Sequence, residues 1–177
     1  RHMCTYHLGM VDADGATIPA VERPRLQGKR MRPQIALLSC AAAGGEMPNA
    51  APLAAAIELL HNFTLVHDDI QDRSPNRRHR PTVWRLWGDA QAINAGDALF
   101  AAAQIGVLGS QTPAAGPARL IDISRAFNRM TIDIVRGQVL DLGFEGRRDV
   151  SPEAYLEMIR GKTAAIVSFA AWAGAVL

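Results

Sequence analysis

Lysine is nearly absent from this 177-residue chain: 17 of its 19 basic residues are Arg, and only Lys29 and Lys162 are Lys. Where Arg is the default cation, two isolated lysines stand out as candidates for a specific role. Cysteine is equally scarce. Cys4 and Cys40 fit no metal-binding or redox spacing and no disulfide framework, so both are read as reduced thiols. Net charge is close to nil, formally +2, too balanced to argue from charge alone for nucleic acid or a membrane as partner. Long apolar runs are missing too. The apolar, uncharged stretch of residues 163–177 has 15 residues, short of the ~20 a membrane span needs. It reads as a buried core helix. No signal peptide is evident, and the expected location is cytoplasmic. Arg1-His2-Met3 reads as a vector remnant running into a start codon and is set aside from the fold.

What is abundant is alanine. Thirty Ala stand against ten Pro and five Phe, a bias toward helix and away from strand. With 49% hydrophobic and 20% charged residues the chain is neither disordered nor fibrous. Residues 4–177 suit a single α-helical domain. Residues 4–27 lack periodicity and read as loop. Residues 32–43 form a short apolar helix stopped by Gly44-Gly45. Asn49 and Pro52 open a long helix running to about Asp72, and residues 73–82 are a loop broken by Ser-Pro-Asn and a second Pro. Helices are expected over 89–109 and 115–144, divided by Gln111-Thr112-Pro113. Ser151-Pro152-Glu153 starts another, with Ser as N-cap and Pro at the first helical position. No segment alternates for long enough to be a strand. The chain ends on Trp-Ala-Gly-Ala-Val-Leu with no capping turn, which suggests that part of the fold lies outside it.

The sharpest chemical signal is His67-Asp68-Asp69-Ile70-Gln71-Asp72. Positions i and i+4 lie about 40° apart around a helix, so Asp68 and Asp72 share a face. Two carboxylates stacked there repel, and a helix C-terminus is the wrong end for negative charge. Mg²⁺, a hard oxygen-seeking ion usually shared with a substrate phosphate, would offset them; a solvated acidic helix end is the alternative. Cations lie nearby in sequence. Lys29 and Arg32 are three residues apart, on one side if the turn is helical. Arg77, Arg78 and Arg80 follow the acidic motif, with Arg80 better read as solvated. An acidic triad plus separate cation clusters fits two anions, one held through metal and one by side chains, as two diphosphates would be.

The ordered strings GKRMRP, LVHDDIQD, RR-x-R-PT, GDALF, GQVLDL and GKTA, covering residues 28–177, resemble the trans-isoprenyl diphosphate synthase family. That resemblance implies an all-α isoprenoid synthase bundle and head-to-tail condensation of isopentenyl diphosphate with an allylic diphosphate. It implies that Asp68 and Asp72 bind Mg²⁺ bridging the allylic diphosphate, with Asp69 in support and Arg77 on the same diphosphate. Lys29, Arg32, His61 and Arg78 would hold isopentenyl diphosphate without metal. Lys162 and Thr163 would meet the allylic diphosphate and the carbocation region, and Gln138 and Asp141 would line the cavity. Phe63, five residues before Asp68, would form the floor that limits product length, with Thr64 leaving room beside it. That pattern favours a C20 product over C15; the alternative is that Phe63 merely packs a helix interface.

The chain departs from the family pattern at three points. It has no second Asp-rich motif, His79 replaces the usual Gly between the arginines, and no helix is expected before GKRMRP. It is therefore expected to act as a homodimer, or as a heteromer whose partner supplies C-terminal helices. A non-catalytic or half subunit of a heteromeric synthase is the competing reading. A class I terpene cyclase is a third, against which Lys29, Arg32 and Arg78 count, because a cyclase needs no second substrate pocket.

Overall fold

The computed structural model describes residues 1–110 and 116–177, so the expected break at Gln111-Thr112-Pro113 lies outside the described residues. Most of the described residues are helical, as composition suggested. By contact it groups into two compact units, Arg1–Met31 with Ala55–Ile105, and Arg32–Ala54 with Gly106–Leu177.

Helix α4 (Met47–Gln71) is the long apolar helix anticipated from residue 49. It starts two residues earlier because Pro48 sits in the first turn, where a missing N–H leaves no bond unmade. Its end is a Schellman motif. Ser74 N–H donates to Asp69 O (3.0 Å), Arg73 N–H donates to Ile70 O (3.3 Å), and Arg73 is left-handed with φ 52°. Arg73 takes the place of the usual Gly, and its side chain repairs the cost. It bonds both Asp89 oxygens at 2.8–2.9 Å and lies 5.5 Å over the Trp84 ring.

Residues 4–27, read as loop, include helical segments at both ends. Two helices, α1 (His2–His7) and α2 (Arg23–Gln27), precede Gly28. Residues 2 and 3, set aside from the fold, belong to it: His2 meets the Trp87 ring edge-on, and Met3 packs on the core cluster of Tyr6, Val66, Val83, Ala92, Ala95 and Leu99. Helices this short have too few residues to show a period and are held by tertiary packing. In the next element, α3 (Met31–Ala42) matches expectation and ends before Gly44-Gly45.

The loop after α4 contains a miniature hairpin, β1 (Asn76–Arg77) with β2 (Arg80–Pro81), pairing Asn76 with Pro81 and Arg77 with Arg80. Arg78 (φ 50°) and His79 (φ 64°) form its two-residue turn, both left-handed as a type I′ turn requires. The backbone keeps a conformation that favours Gly although His79 occupies the position. We expect His79→Gly to raise unfolding free energy by about 1 kcal/mol in a denaturant titration; no gain would mean the turn is unstrained. Tyr6 anchors the hairpin, its hydroxyl donating to Pro81 O (2.8 Å), while Arg80 stacks 3.8 Å over its ring and donates to Tyr6 O and Val11 O. Arg80, read as solvated, is thus a structural clamp. Beyond the hairpin, α5 (Val83–Trp87) leads into α6 (Asp89–Leu108).

In the second unit, α7 (Gly116–Phe144) packs on a chain of α8 (Pro152–Ile159), a π-helical turn (Arg160–Ala164) and α9 (Ala165–Val176). Ser151 caps α8 as expected, its Oγ accepting from Ala154 N–H at 3.2 Å. Phe127 and Phe169 meet at 5.5 Å, and a Cβ on Gly174 would fall 2.1 Å from Ala36 O. The expectation that residues 163–177 are buried throughout is corrected. Ile166, Phe169, Ala170, Ala173 and Gly174 are buried on one face of α9, while Trp172 is 43% exposed. Among the described residues, no helix is long and apolar enough to cross a membrane.

Candidate functional site

In the first unit, the acidic end of α4 meets the arginine hairpin. Asp72 lies one residue past the helix, yet its N–H still donates to Asp68 O at 2.8 Å. The i, i+4 register that puts both carboxylates on one face therefore persists. Asp69 points the other way and is buried, 1% exposed. Arg77 donates to its Oδ1 from Nε (2.8 Å) and lies 2.7 Å from it through Nη2. Burial pushes the Asp69 carboxyl upward and Arg77 pulls it back down. Asp69 thus serves the motif by holding the hairpin.

Arg78 is differently placed. Its guanidinium rests on bare backbone, 3.4–3.5 Å from where a Cβ on Gly28 would stand, and Gly28 is left-handed with φ 72°. The turn brings the segment of Lys29 to Arg78. Lys29 and Arg32 do not share a helical turn, correcting that expectation: Arg30 has φ 49° and α3 begins only at Met31. Burial lowers the Arg78 pKa, the first of several opposing influences.

Two residues of this neighbourhood escaped sequence reasoning, Asn62 and His7. Asn62 is fully buried and accepts from Arg78 Nη1 at 3.4 Å. His7 is lowered to about 3, first by burial and then by the Arg78 and Arg77 charges. Because the folded imidazole titrates below its usual 6.5, only the unfolded chain takes up this proton as pH falls below that value, so stability is lost on acidification. We expect about 2 kcal/mol less stability at pH 5 than at pH 7.5 from this group. Equilibrium unfolding at both pH values should show a smaller loss in His7→Gln; an identical loss would contradict the burial of a neutral ring.

Phe63 packs against His67 (4.7 Å) and Phe100 (5.3 Å) in the core cluster, and Thr64 Oγ1 donates to His61 O at 2.8 Å. Gly96, in GDALF, has no side chain because His67 fills the space; its Cβ would stand 2.3 Å from His67 Nε2.

The second unit carries the later motifs. Lys162, in the π-helical turn, ion-pairs with Asp141 on α7. Asp141 is thus the direct partner of the scarce lysine, and Gln138 lies three residues before it. Thr163 is exposed. The crossing is made by glycines: a Cβ on Gly137 would fall 2.2 Å from Lys162 N, and one on Gly161 2.6 Å from Asp133 O. No bulkier pair lets the two backbones approach this closely, and π-turns are often found at functional sites.

Comparison with known proteins decides the family. The polyprenyl synthetase family model matches residues 19–177. The chain belongs to that family. It is 42% identical over all 177 residues to (2E,6E)-farnesyl diphosphate synthase of Mycobacterium tuberculosis (strain ATCC 25618 / H37Rv), covering 46% of that protein. It is 39% identical over 175 residues to geranylgeranyl diphosphate synthase of the same strain, covering 99% of this chain and 47% of the relative. The crystal structure of polyprenyl synthetase from Streptomyces coelicolor A3(2) superposes with TM-score 0.86 at 38% identity, covering 99% of this chain and 49% of that one. The chain spans about half the length of the curated relatives it matches. Alignment over all 177 residues includes α1, in accord with its place in the core.

Do these polyprenyl synthetase residues suit magnesium? Among the described residues no group of three metal-ligating side chains converges. Asp68 and Asp72 nevertheless offer hard oxygen donors in register, and Mg²⁺ commonly takes only one or two carboxylates, completing its shell with water and substrate phosphate. The donor set fits.

Proposed function

We propose that the chain binds two isoprenoid diphosphates and takes part in Mg²⁺-dependent, head-to-tail prenyl transfer to a C20 product. The observation that carries this reading is the division of charge at the hairpin. Arg77 is paired with Asp69, whereas among the described residues Arg78 forms no ion pair and leans on the backbone before Lys29. One cation is committed to the acidic motif and the other is open to an anion.

In this reading, Asp68 and Asp72 hold Mg²⁺, which when bound draws electron density from the allylic diphosphate and eases its departure. Lys29, Arg32, His61 and Arg78 grip the diphosphate of isopentenyl diphosphate, and Arg77 supports the allylic one. Lys162 and Thr163 keep their assignment to the allylic diphosphate, and Gln138 and Asp141 theirs to the cavity wall. The allylic carbon–oxygen bond breaks, the isopentenyl double bond attacks that carbon, and loss of a proton restores a double bond in a chain five carbons longer. Apolar walls protect the cation from water, and the Arg and Lys charges offset the charge that develops on the leaving diphosphate.

The test is extension of labelled isopentenyl diphosphate on allylic primers, alone and with a chain that carries the C-terminal helices and second Asp-rich motif. The reading expects C20 product with that chain present, and longer product from Phe63→Ala. No extension of any primer would refute the function, and unchanged product length would move the floor away from Phe63.

A further inference from the structure

A buried polar network lies behind the paired arginines, and the proposed reaction does not use it. Asn62 sits in the middle of α4 with no exposed surface. Its Nδ2 donates to Glu58 O at 2.8 Å and to Glu58 Oε1 at 3.0 Å. Both amide hydrogens are thereby used, and the amide has one orientation in which Oδ1 faces away from Glu58. That oxygen accepts from Arg78 Nη1 at 3.4 Å, the long end of a hydrogen bond.

Across the guanidinium from Asn62 lies Gly28, whose missing Cβ lets Arg78 settle against the backbone ahead of Lys29.

We propose that Asn62 is a positioning residue for Arg78: its carbonyl, oriented by Glu58, holds the guanidinium against Gly28 so that its charge faces the isopentenyl diphosphate. This rests on the reading that Arg78 takes that diphosphate. Asn62 need not touch substrate. Neither motif reading nor helical periodicity marks it, since Asn62 and Arg78 are 16 positions apart in sequence and meet only in the fold.

The experiment titrates the chain with isopentenyl diphosphate in the presence of a chelator and, separately, with an allylic diphosphate analogue and Mg²⁺. Asn62→Leu should weaken isopentenyl diphosphate about tenfold and leave the allylic analogue within about twofold. Glu58→Gln, which keeps an acceptor for Asn62 Nδ2, should retain most of the affinity, and Glu58→Leu should weaken it several-fold; this pair decides the matter if Asn62→Leu does not fold. Equal losses for both ligands, or unchanged affinity in Asn62→Leu or Glu58→Leu, would overturn the proposal. A wild-type chain that fails to bind isopentenyl diphosphate at all would overturn the Arg78 reading, and this one with it.

Discussion

Replacing either Asp68 or Asp72 by Ala is expected to cost at least about a hundredfold, ~2.7 kcal/mol, in Mg²⁺-dependent affinity for a non-reactive allylic diphosphate analogue. The size follows from how few donors there are. Asp69 is occupied by Arg77, and among the described residues no third ligating side chain joins the pair. Removing one of two carboxylates halves the protein's share of the coordination shell and leaves diphosphate charge uncompensated. The apo chain should respond in the opposite sense. Asp72 stands exposed at the negative end of the α4 dipole, one turn from Asp68, so Asp72→Ala relieves repulsion and should leave stability unchanged or slightly higher. Affinity that is lost together with stability would indicate misfolding; affinity unchanged in both variants would remove the metal assignment.

The second large effect lies at the glycine crossing of α7 with the π-helical turn. Gly137→Ala should lower unfolding free energy by about 3 kcal/mol, because the new Cβ would stand 2.2 Å from Lys162 N and 2.8 Å from Gly161 C, both backbone atoms that cannot rotate away. Relief requires the helices to separate, which would also pull Lys162 from Asp141. Gly143, on the same helix, is the control: nothing lies within 4 Å of its would-be Cβ. Gly143→Ala should be neutral or stabilising by up to about 1 kcal/mol, since Ala is the better helix former. Denaturant titration of both variants separates packing from propensity. Equal stability for the two would contradict the close approach.

Local signals were legible in the sequence and long-range ones were not. The length of α4, the Ser151 cap and the stop of α3 before Gly44-Gly45 follow from periodicity and capping chemistry that act within a few residues. The hairpin turn escaped because Arg78 and His79 are not residues that advertise a left-handed backbone; tertiary contacts of Arg80 with Tyr6 and Val11 impose it. The helices α1 and α2 escaped for want of length. The π-helical turn has no sequence signature beyond Gly161, whose reason lies 24 residues away at Gly137. At the site, the i, i+4 pairing of Asp68 with Asp72 came from helix geometry alone. The roles of Asp69 as hairpin anchor and Asp141 as partner of Lys162 did not, because each depends on a residue brought close by folding. His61 and Asn62 are neighbours in sequence, yet only His61 stood out, as a polar residue on the helix face that carries Asp68; Asn62 on another face reads as an ordinary buried amide.

In the proposed function the two diphosphates are held by different chemistry, one through metal and one by side chains alone. Calorimetric titration of isopentenyl diphosphate under chelation, on the wild-type chain and on Arg78→Ala, tests it most directly. Binding that survives removal of Mg²⁺ in the wild-type chain and falls at least about tenfold in Arg78→Ala is the predicted result. Binding that vanishes with the metal, or that is indifferent to Arg78, would contradict it.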